Sequence, residues 1–272
     1  MFKRLLTTLV GMPLLFVVLI LGNKYVVDVI VTVLALVSIH EYMKCYSEKF
    51  KPVSWLGYVC AIAIAFLHII PREQVLNYLG LAVVGVVAIL FIQVILTEMK
   101  TNTVDIAVTF FGIIYIVGFY AFIPILFGYE KDGQQLGKFY IWYLFLATWG
   151  SDIFAFLIGR TFGKHKFSKI SPKKSIEGCI AGVVAGVTLV LVATVLFNNV
   201  FNLNVSYIVV AIIGLILTII GQVGDFAASC IKRYAEVKDF SNLLPGHGGL
   251  IDRFDSVIFT APFAYYLITL LL

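Results

Sequence analysis

The sequence predicts an all-α fold: a polytopic integral membrane protein of about nine transmembrane helices, with a polar cavity opening to the cytoplasm. Three observations predict it. Hydrophobic residues make up 61% of the 272 residues and charged ones 13%, against roughly 25% charged in soluble domains. Apolar runs recur along the chain at about the length a helix needs to cross ~30 Å of hydrocarbon. Between the runs, charge, glycine and proline gather in two longer stretches, 159–177 and 225–256.

The first apolar run, 5–22, resembles a signal peptide, but it lacks a small-residue cleavage site and further spans follow. It is therefore read as a membrane helix. Eight more runs lie near 25–43, 54–70, 75–96, 104–128, 139–158, 178–197, 205–224 and 257–272. Helices are the expected form, because lipid leaves unpaired backbone polar groups unsatisfied. The spans divide into an N-terminal transmembrane region, 1–138, and a catalytic transmembrane region, 139–272, which carries both longer loops. Gly178, Gly182 and Gly186 recur every four residues. They mark a helix face for close packing against a neighbour.

Orientation follows from Lys and Arg. With the N-terminus in the cytoplasm, 16 of the 20 basic residues fall on that side. Only Lys24, Arg72, Lys131 and Lys138 fall on the other. The bias places the N-terminus and both longer loops in the cytoplasm, as for a protein of the cell's inner or plasma membrane. Nine spans would then leave the C-terminus outside. The net charge is +5, but it is spread through loops between apolar spans, which speaks against a nucleic-acid partner. Cys45, Cys60, Cys179 and Cys230 are scattered, without a C-x-x-C pair. Neither a disulfide framework nor a zinc site is indicated.

The strongest chemical signal lies in 229–255. Lys232, Arg233, Lys238 and Arg253 are four cations, and Asp239, Asp252 and Asp255 are three carboxylates. Between them, Gly246-His247-Gly248-Gly249 has little side-chain bulk, so its backbone N–H groups are able to approach a phosphate. Cations neutralise phosphate oxygens, and carboxylates hold a divalent metal that bridges them. Together these are the parts of phosphoryl or nucleotidyl transfer. Gln222, Asp225, Ser229 and Lys232 share one helix face, so the eighth span is expected to continue as helix past the membrane boundary into this polar segment, with Asp225 near the interface and facing inward.

The run Ser229-x2-Lys232-Arg233-x4-Lys238-Asp239-x-Ser241-x2-Leu244-Pro245-x-His247-Gly248-Gly249-Leu250-x-Asp252-Arg253-Phe254-Asp255 resembles the signature of the phosphatidate cytidylyltransferase (CDP-diacylglycerol synthase) family, with no departure at its fixed positions. A second stretch is also similar to that family: Asp152, Gly159-Arg160, Gly163-Lys164 and Ser171-Pro172-Lys173-Lys174-Ser175-x-Glu177-Gly178. The family often has Thr where this chain has Ser175, and a hydroxyl is kept. The likeness covers about 147–272; the earlier spans resemble the family only in hydropathy.

The resemblance implies an enzyme of phospholipid biosynthesis that uses Mg²⁺ to condense CTP and phosphatidic acid into CDP-diacylglycerol and pyrophosphate. It also implies a homodimer among membrane lipids. Asp225 and Asp252, with Asp255 next, are the expected metal ligands. Lys232, Arg233, Lys238 and Arg253 are the expected phosphate clamps, and Gly248 and Gly249 the backbone donors. Asp239 is counted with the catalytic set. Asp152, Arg160, Lys164, Ser171, Ser175, Glu177 and Ser229 are expected around the substrates. His247 either orients a phosphate or caps its turn. Lys173 and Lys174 bind a substrate phosphate, set topology or touch anionic lipid. His40 and Glu41 line the same cavity or lie at the interface; Asp28, His68 and Asp105 are expected to touch water near span ends. A membrane transporter is the competing reading, but no inverted repeat is visible and the charge lies in loops rather than at the midplane. The motif of CDP-alcohol phosphotransferases is not found, and a non-catalytic scaffold would not need so many phosphate-handling residues.

Overall fold

The computed structural model describes residue 13 and residues 15–168, 171, 174–244 and 246–272, with the side chains of residues 72 and 73 left aside. Among these residues there is no β-strand. Seven helices among the described residues are long and apolar enough to cross a membrane. The expected first span lies mostly outside the described residues, which are helical over 15–21. The expected third span is shorter than a full crossing: helix α2 (Ser54–Ala63) gives way to a 3-10 segment, Ile64–Ile69. The count of nine is therefore not reproduced as nine full-length helices.

The chain forms two compact units, Met1–Gly128 with Ala235–Arg253, and Tyr129–Tyr234 with Phe254–Leu272. The signature segment Ala235–Arg253 belongs to the first unit.

In the first unit, α1 (Lys24–Tyr46) begins at Asn23, whose side chain accepts from the Val26 N–H at 2.9 Å. Its buried face carries Val27, Val31, Ala35 and Ile39, interrupted by Asp28, Ser38 and Glu41. Each polar interruption finds a partner, as burial requires. Asp28 is fully buried, and its oxygens lie 2.7 and 2.8 Å from His68 Nδ1. Ser38 meets the Tyr120 hydroxyl at 3.2 Å. α3 (Arg72–Leu96) is mostly exposed to its surroundings. α4 (Thr103–Gly112), a π-helical turn (Ile113–Gly118) and α5 (Phe119–Phe127) form one apolar stretch. Asn102 and Asp105 close a capping box at its start, and Asp105 Oδ1 also accepts from the Lys51 N–H at 2.8 Å. Asp28 and Asp105 thus do not simply touch water: both are buried and carry structural hydrogen bonds.

In the second unit, α6 (Gly137–Phe162), α7 (Ile176–Phe201) and α8 (Tyr207–Tyr234) pack through small residues. A methyl group added at Gly182 would sit 2.7 Å from the Ser151 carbonyl oxygen; at Gly178, 2.6 Å from that of Ala155; at Gly186, 2.9 Å from that of Ala147. Ala147, Ser151 and Ala155 are themselves four apart, so two small-residue faces meet backbone to backbone. α9 (Ile251–Leu271) closes the chain, and Gly224 of α8 meets Phe259 so closely that an added methyl would lie 2.6 Å from its Cβ. Because α6 runs to Phe162 and α8 to Tyr234, the connections are shorter than expected: 163–175 and 235–250. As the polar face past the eighth span leads one to expect, the helix continues, and Asp225 lies about two and a half turns before its end.

The seam predicts a contrast between two glycine substitutions. Gly182→Val forces α6 and α7 apart and should cost about 1–3 kcal/mol or more. Gly85→Ala, in α3 with nothing within 4 Å of the added carbon, should be neutral or stabilise by about 0.5–1 kcal/mol. Thermal unfolding in one detergent reads both; equal midpoints would contradict the packing.

Candidate active site

The signature loop lies in the first unit, and its organiser is Glu41. This carboxylate is 3% exposed at the polar end of α1. Its oxygens accept from Ser241 Oγ at 2.5 Å, from the Leu250 N–H at 2.9 Å and from the Ile251 N–H at 3.0 Å. The last two donors belong to the start of α9, where a helix presents unsatisfied N–H groups and positive potential. Asp252, in the first turn of that helix, works beside it: its Oδ2 accepts from the Phe240 N–H at 3.0 Å and the Gly249 N–H at 2.9 Å.

The glycines make this possible. Gly246 and Gly248 have φ of +82° and +81°, which disfavours other side chains. Gly248 lies against Asp239 and Asp252, and a methyl on Gly249 would lie 2.7 Å from Glu41 Oε2. The turn is drawn tight by the Leu244 N–H donating to the Gly248 carbonyl at 2.9 Å. The His247 N–H donates to the Leu244 carbonyl at 2.8 Å, and Arg253 Nε to the His247 carbonyl at 2.8 Å. So the Gly249 N–H, expected to serve a phosphate, is here taken by Asp252, and Arg253 holds the turn. Lys238 and Asp239 are exposed. Just before them, Lys49 lies 2.6 Å from Glu236 and holds that exposed carboxyl below its usual range by hydrogen bond and charge.

The second unit holds a separate polar cluster among its helices. Asp152 comes from α6, Asp225 and Lys232 from α8, and Asp255 from α9, while Ser229 of α8 is buried one turn beyond Asp225. Lys174, just before α7, pairs with Asp225 and sits 4.3 Å from the centre of the Phe226 ring, which Phe167 stacks upon at 4.8 Å. Asp152 Oδ2 accepts from Ser256 Oγ at 2.9 Å. Asp255 is 7% exposed, repelled by Asp225 and Asp152 and attracted by Lys232. Gln222 donates to Ser151 Oγ at 3.0 Å and to the Cys179 carbonyl at 2.8 Å. The expected polar face of α8 is thus turned toward partners within its unit.

Several residues of the second motif build the loop itself. Ser175 caps α7, accepting from the Gly178 N–H at 3.2 Å, and its hydroxyl sits against Gly159 and Gly163. Glu177 accepts from the Lys164 and His165 N–H groups at 3.2 Å and contacts His165 Nδ1 at 2.6 Å. The Ser171 carbonyl accepts from the Lys174 N–H at 3.1 Å. Arg160, Lys164 and Arg233 are exposed, and Lys173 lies outside the described residues.

For a metal, the chemistry of the donors is the test. Among the described residues no group of three His, Cys, Asp or Glu is gathered closely enough to hold an ion on its own. Mg²⁺ needs only one or two carboxylates, with substrate phosphates and water completing its ligands. Asp225 and Asp255, mutually repelling in one unit, fit that requirement.

Sequence reasoning put Glu41 at the cavity or the interface without its tie to the signature loop, and did not single out Ser256 or Ser151. An acid inside an apolar run was the signal for Glu41; nothing in the spacing marked the two hydroxyls.

The chain belongs to the cytidylyltransferase family, whose family model matches residues 2–271. Among its relatives, the phosphatidate cytidylyltransferase of Bacillus subtilis (strain 168) is 30% identical over 275 residues, covering 98% of this chain and 97% of the relative. That of Staphylococcus aureus (strain COL) is 33% identical over 263 residues, covering 95% of each. That of Staphylococcus haemolyticus (strain JCSC1435) is 32% identical over 261 residues, again covering 95% of each.

The Glu41 arrangement makes a prediction. Glu41→Gln puts an amide NH₂ among three donors, and a buried donor left unmet costs about 1–3 kcal/mol. Hydrogen exchange over 241–251 should accelerate and turnover should fall, while Glu48→Gln, at an exposed position, changes neither. Unchanged protection in Glu41→Gln would remove Glu41 from this role.

Proposed function

We propose that this chain is a phosphatidate cytidylyltransferase, an integral membrane enzyme joining CTP and phosphatidate to give CDP-diacylglycerol and pyrophosphate. The observation that carries the reading is the near full-length match to proteins of that name. The polar cluster among the helices of the second unit supports it. A lipid phosphate oxygen attacks the α-phosphorus of CTP, the bond from that phosphorus to the bridging oxygen breaks, and pyrophosphate departs with the electron pair. Both reactants are polyanions, so the approach requires neutralisation. Lys174 and Lys232 are the cations at the cluster, and Lys174 is held in place by Asp225 and the Phe226 ring. Asp225 and Asp255 would hold Mg²⁺, which when bound neutralises phosphate oxygens and orients them. Asp152, fixed by Ser256, adds negative charge that favours a cation there.

Purified protein given labelled CTP, phosphatidate and Mg²⁺ should form labelled CDP-diacylglycerol. Asp225→Asn, matched to the parent in thermal stability, should lose about 100-fold or more in turnover, the scale of losing a preorganised electrostatic group. No CDP-diacylglycerol from a stable parent would refute the function; parental turnover with an unchanged Mg²⁺ requirement would remove Asp225 from the metal.

The loops 163–175 and 235–250 are placed in the cytoplasm by the Lys and Arg bias, which agrees with a soluble cytoplasmic nucleotide. A cysteine introduced at the exposed Lys166, in a background without the four native cysteines, should resist an impermeant maleimide added to intact cells. It should react after permeabilisation. Labelling of intact cells would reverse the orientation.

A further inference from the structure

Asp225, the carboxylate proposed to hold the metal, already pairs with a cation of the chain. The Lys174 ammonium contacts Asp225 Oδ2 and lies 4.3 Å from the centre of the adjacent Phe226 ring. Phe167 stacks on that ring at 4.8 Å. All of these residues belong to the second unit. The backbone on both sides of the lysine is tied down. The Lys174 N–H donates to the Ser171 carbonyl at 3.1 Å, and the Phe167 N–H donates to the Lys174 carbonyl at 3.1 Å. Ser175 caps α7, and the Ile176 N–H donates to the His165 carbonyl at 2.9 Å. The flexible four-carbon stem is therefore the part of Lys174 that can swing.

The pair is not sealed from water: the two side chains are 21% and 26% exposed. An ion pair so open contributes little, so breaking it costs little. Charge balance points the same way. Three carboxylates, Asp152, Asp225 and Asp255, gather with the ammonium groups of Lys174 and Lys232. The chain's own cations thus meet most of the negative charge that would attract a divalent ion, and a second cation on Asp225 is repelled by the first. A triphosphate changes the balance. It brings several negative charges and oxygens that accept from an ammonium.

We propose that Lys174 is an exchangeable counter-ion: it occupies Asp225 until nucleotide binds, then swings to a phosphate oxygen and releases the carboxylate to the metal. The inference rests on the reading of Asp225 as a metal ligand of a phosphatidate cytidylyltransferase, and adds an order of events to it. Asp225 then takes the divalent ion weakly without nucleotide and tightly with it, and by linkage the ion strengthens nucleotide binding equally. Phe226 is a positioning residue in this device. Its ring face attracts the ammonium and keeps it beside Asp225.

Mn²⁺ titrated into the full-length protein in detergent, without nucleotide, tests this apart from turnover, the free ion being read by electron paramagnetic resonance. Lys174→Met keeps an unbranched chain against the Phe226 ring and should bind Mn²⁺ about tenfold more tightly than the parent, the scale of one charge-assisted contact. Phe226→Leu keeps the lysine but loosens its hold, and should gain about threefold, as for loss of a cation–π contact. Adding Asp225→Asn to Lys174→Met should abolish the gain. Parental Mn²⁺ affinity in Lys174→Met would overturn the proposal, as would a gain that survives Asp225→Asn. Should Lys174→Met fail to fold, Phe226→Leu carries the same test. A parent that makes CDP-diacylglycerol while neither variant gains affinity would defeat the exchange alone. A gain that depends on Asp225, in a protein that never makes CDP-diacylglycerol, would defeat the catalytic reading alone.

Discussion

The first unit depends on one buried carboxylate. Glu41 sits inside an apolar helix, where an unpaired charge would be costly. It is tolerated because three donors converge on it: a hydroxyl and two N–H groups of the α9 start. The dependence is mutual. The first N–H groups of a helix lack intrahelical acceptors, and at α9 the acceptors come from Glu41, about 200 residues earlier in the chain. Neither the buried acid nor the buried helix start would be stable alone. The contact therefore fixes the signature loop to α1 rather than leaving it as a solvated connection.

A similar rule governs the other polar groups within the spans. Asp28 is matched by His68, Ser38 by Tyr120, Thr194 by Tyr143 at 3.0 Å and Asp152 by Ser256. With little hydrophobic gradient between a helix and lipid, association rests on close backbone approach and on such bonds. The α6–α7 seam supplies the first, through Gly178, Gly182 and Gly186. The Gln222 amide, reaching Ser151 and the Cys179 carbonyl, supplies the second in the same place.

Much of this was legible in the sequence because membrane helices are written in composition and length, and because the glycine period is visible without a structure. The polar face of α8 was legible for the same reason: helical spacing alone aligns Gln222, Asp225 and Lys232. What was not legible depends on distance along the chain. Nothing near Glu41 announces that its partners are Ser241, Leu250 and Ile251. Ser175 and Glu177 looked like ligands of a substrate, but a cap and a loop clasp require the same residue types as an anion site. The loop bounds were set by hydropathy and so came out longer than the connections, although a helix that leaves the membrane keeps its period while losing its hydropathy, as the polar face of α8 showed.

The glycine loop shows how these points combine. Ordering a flexible residue costs about 1–2 kcal/mol in backbone entropy, and glycine loses more than other residues. A loop of Gly246, Gly248 and Gly249 waiting for a phosphate would place that cost on substrate binding. Here the protein's own carboxylates bear it: Asp252 accepts from Gly249 and Phe240, and Glu41 accepts from the next two N–H groups in the chain. Carboxylate and phosphate are both anions that accept from clustered backbone donors. The residue types that suggested an anion-binding loop do gather backbone donors, and the anions seen in place belong to the chain. Asp252 is thus first a residue that shapes the loop, and the absence of side chains at Gly248 and Gly249 is explained by the approach of Asp252, Asp239 and Glu41 before any ligand is considered.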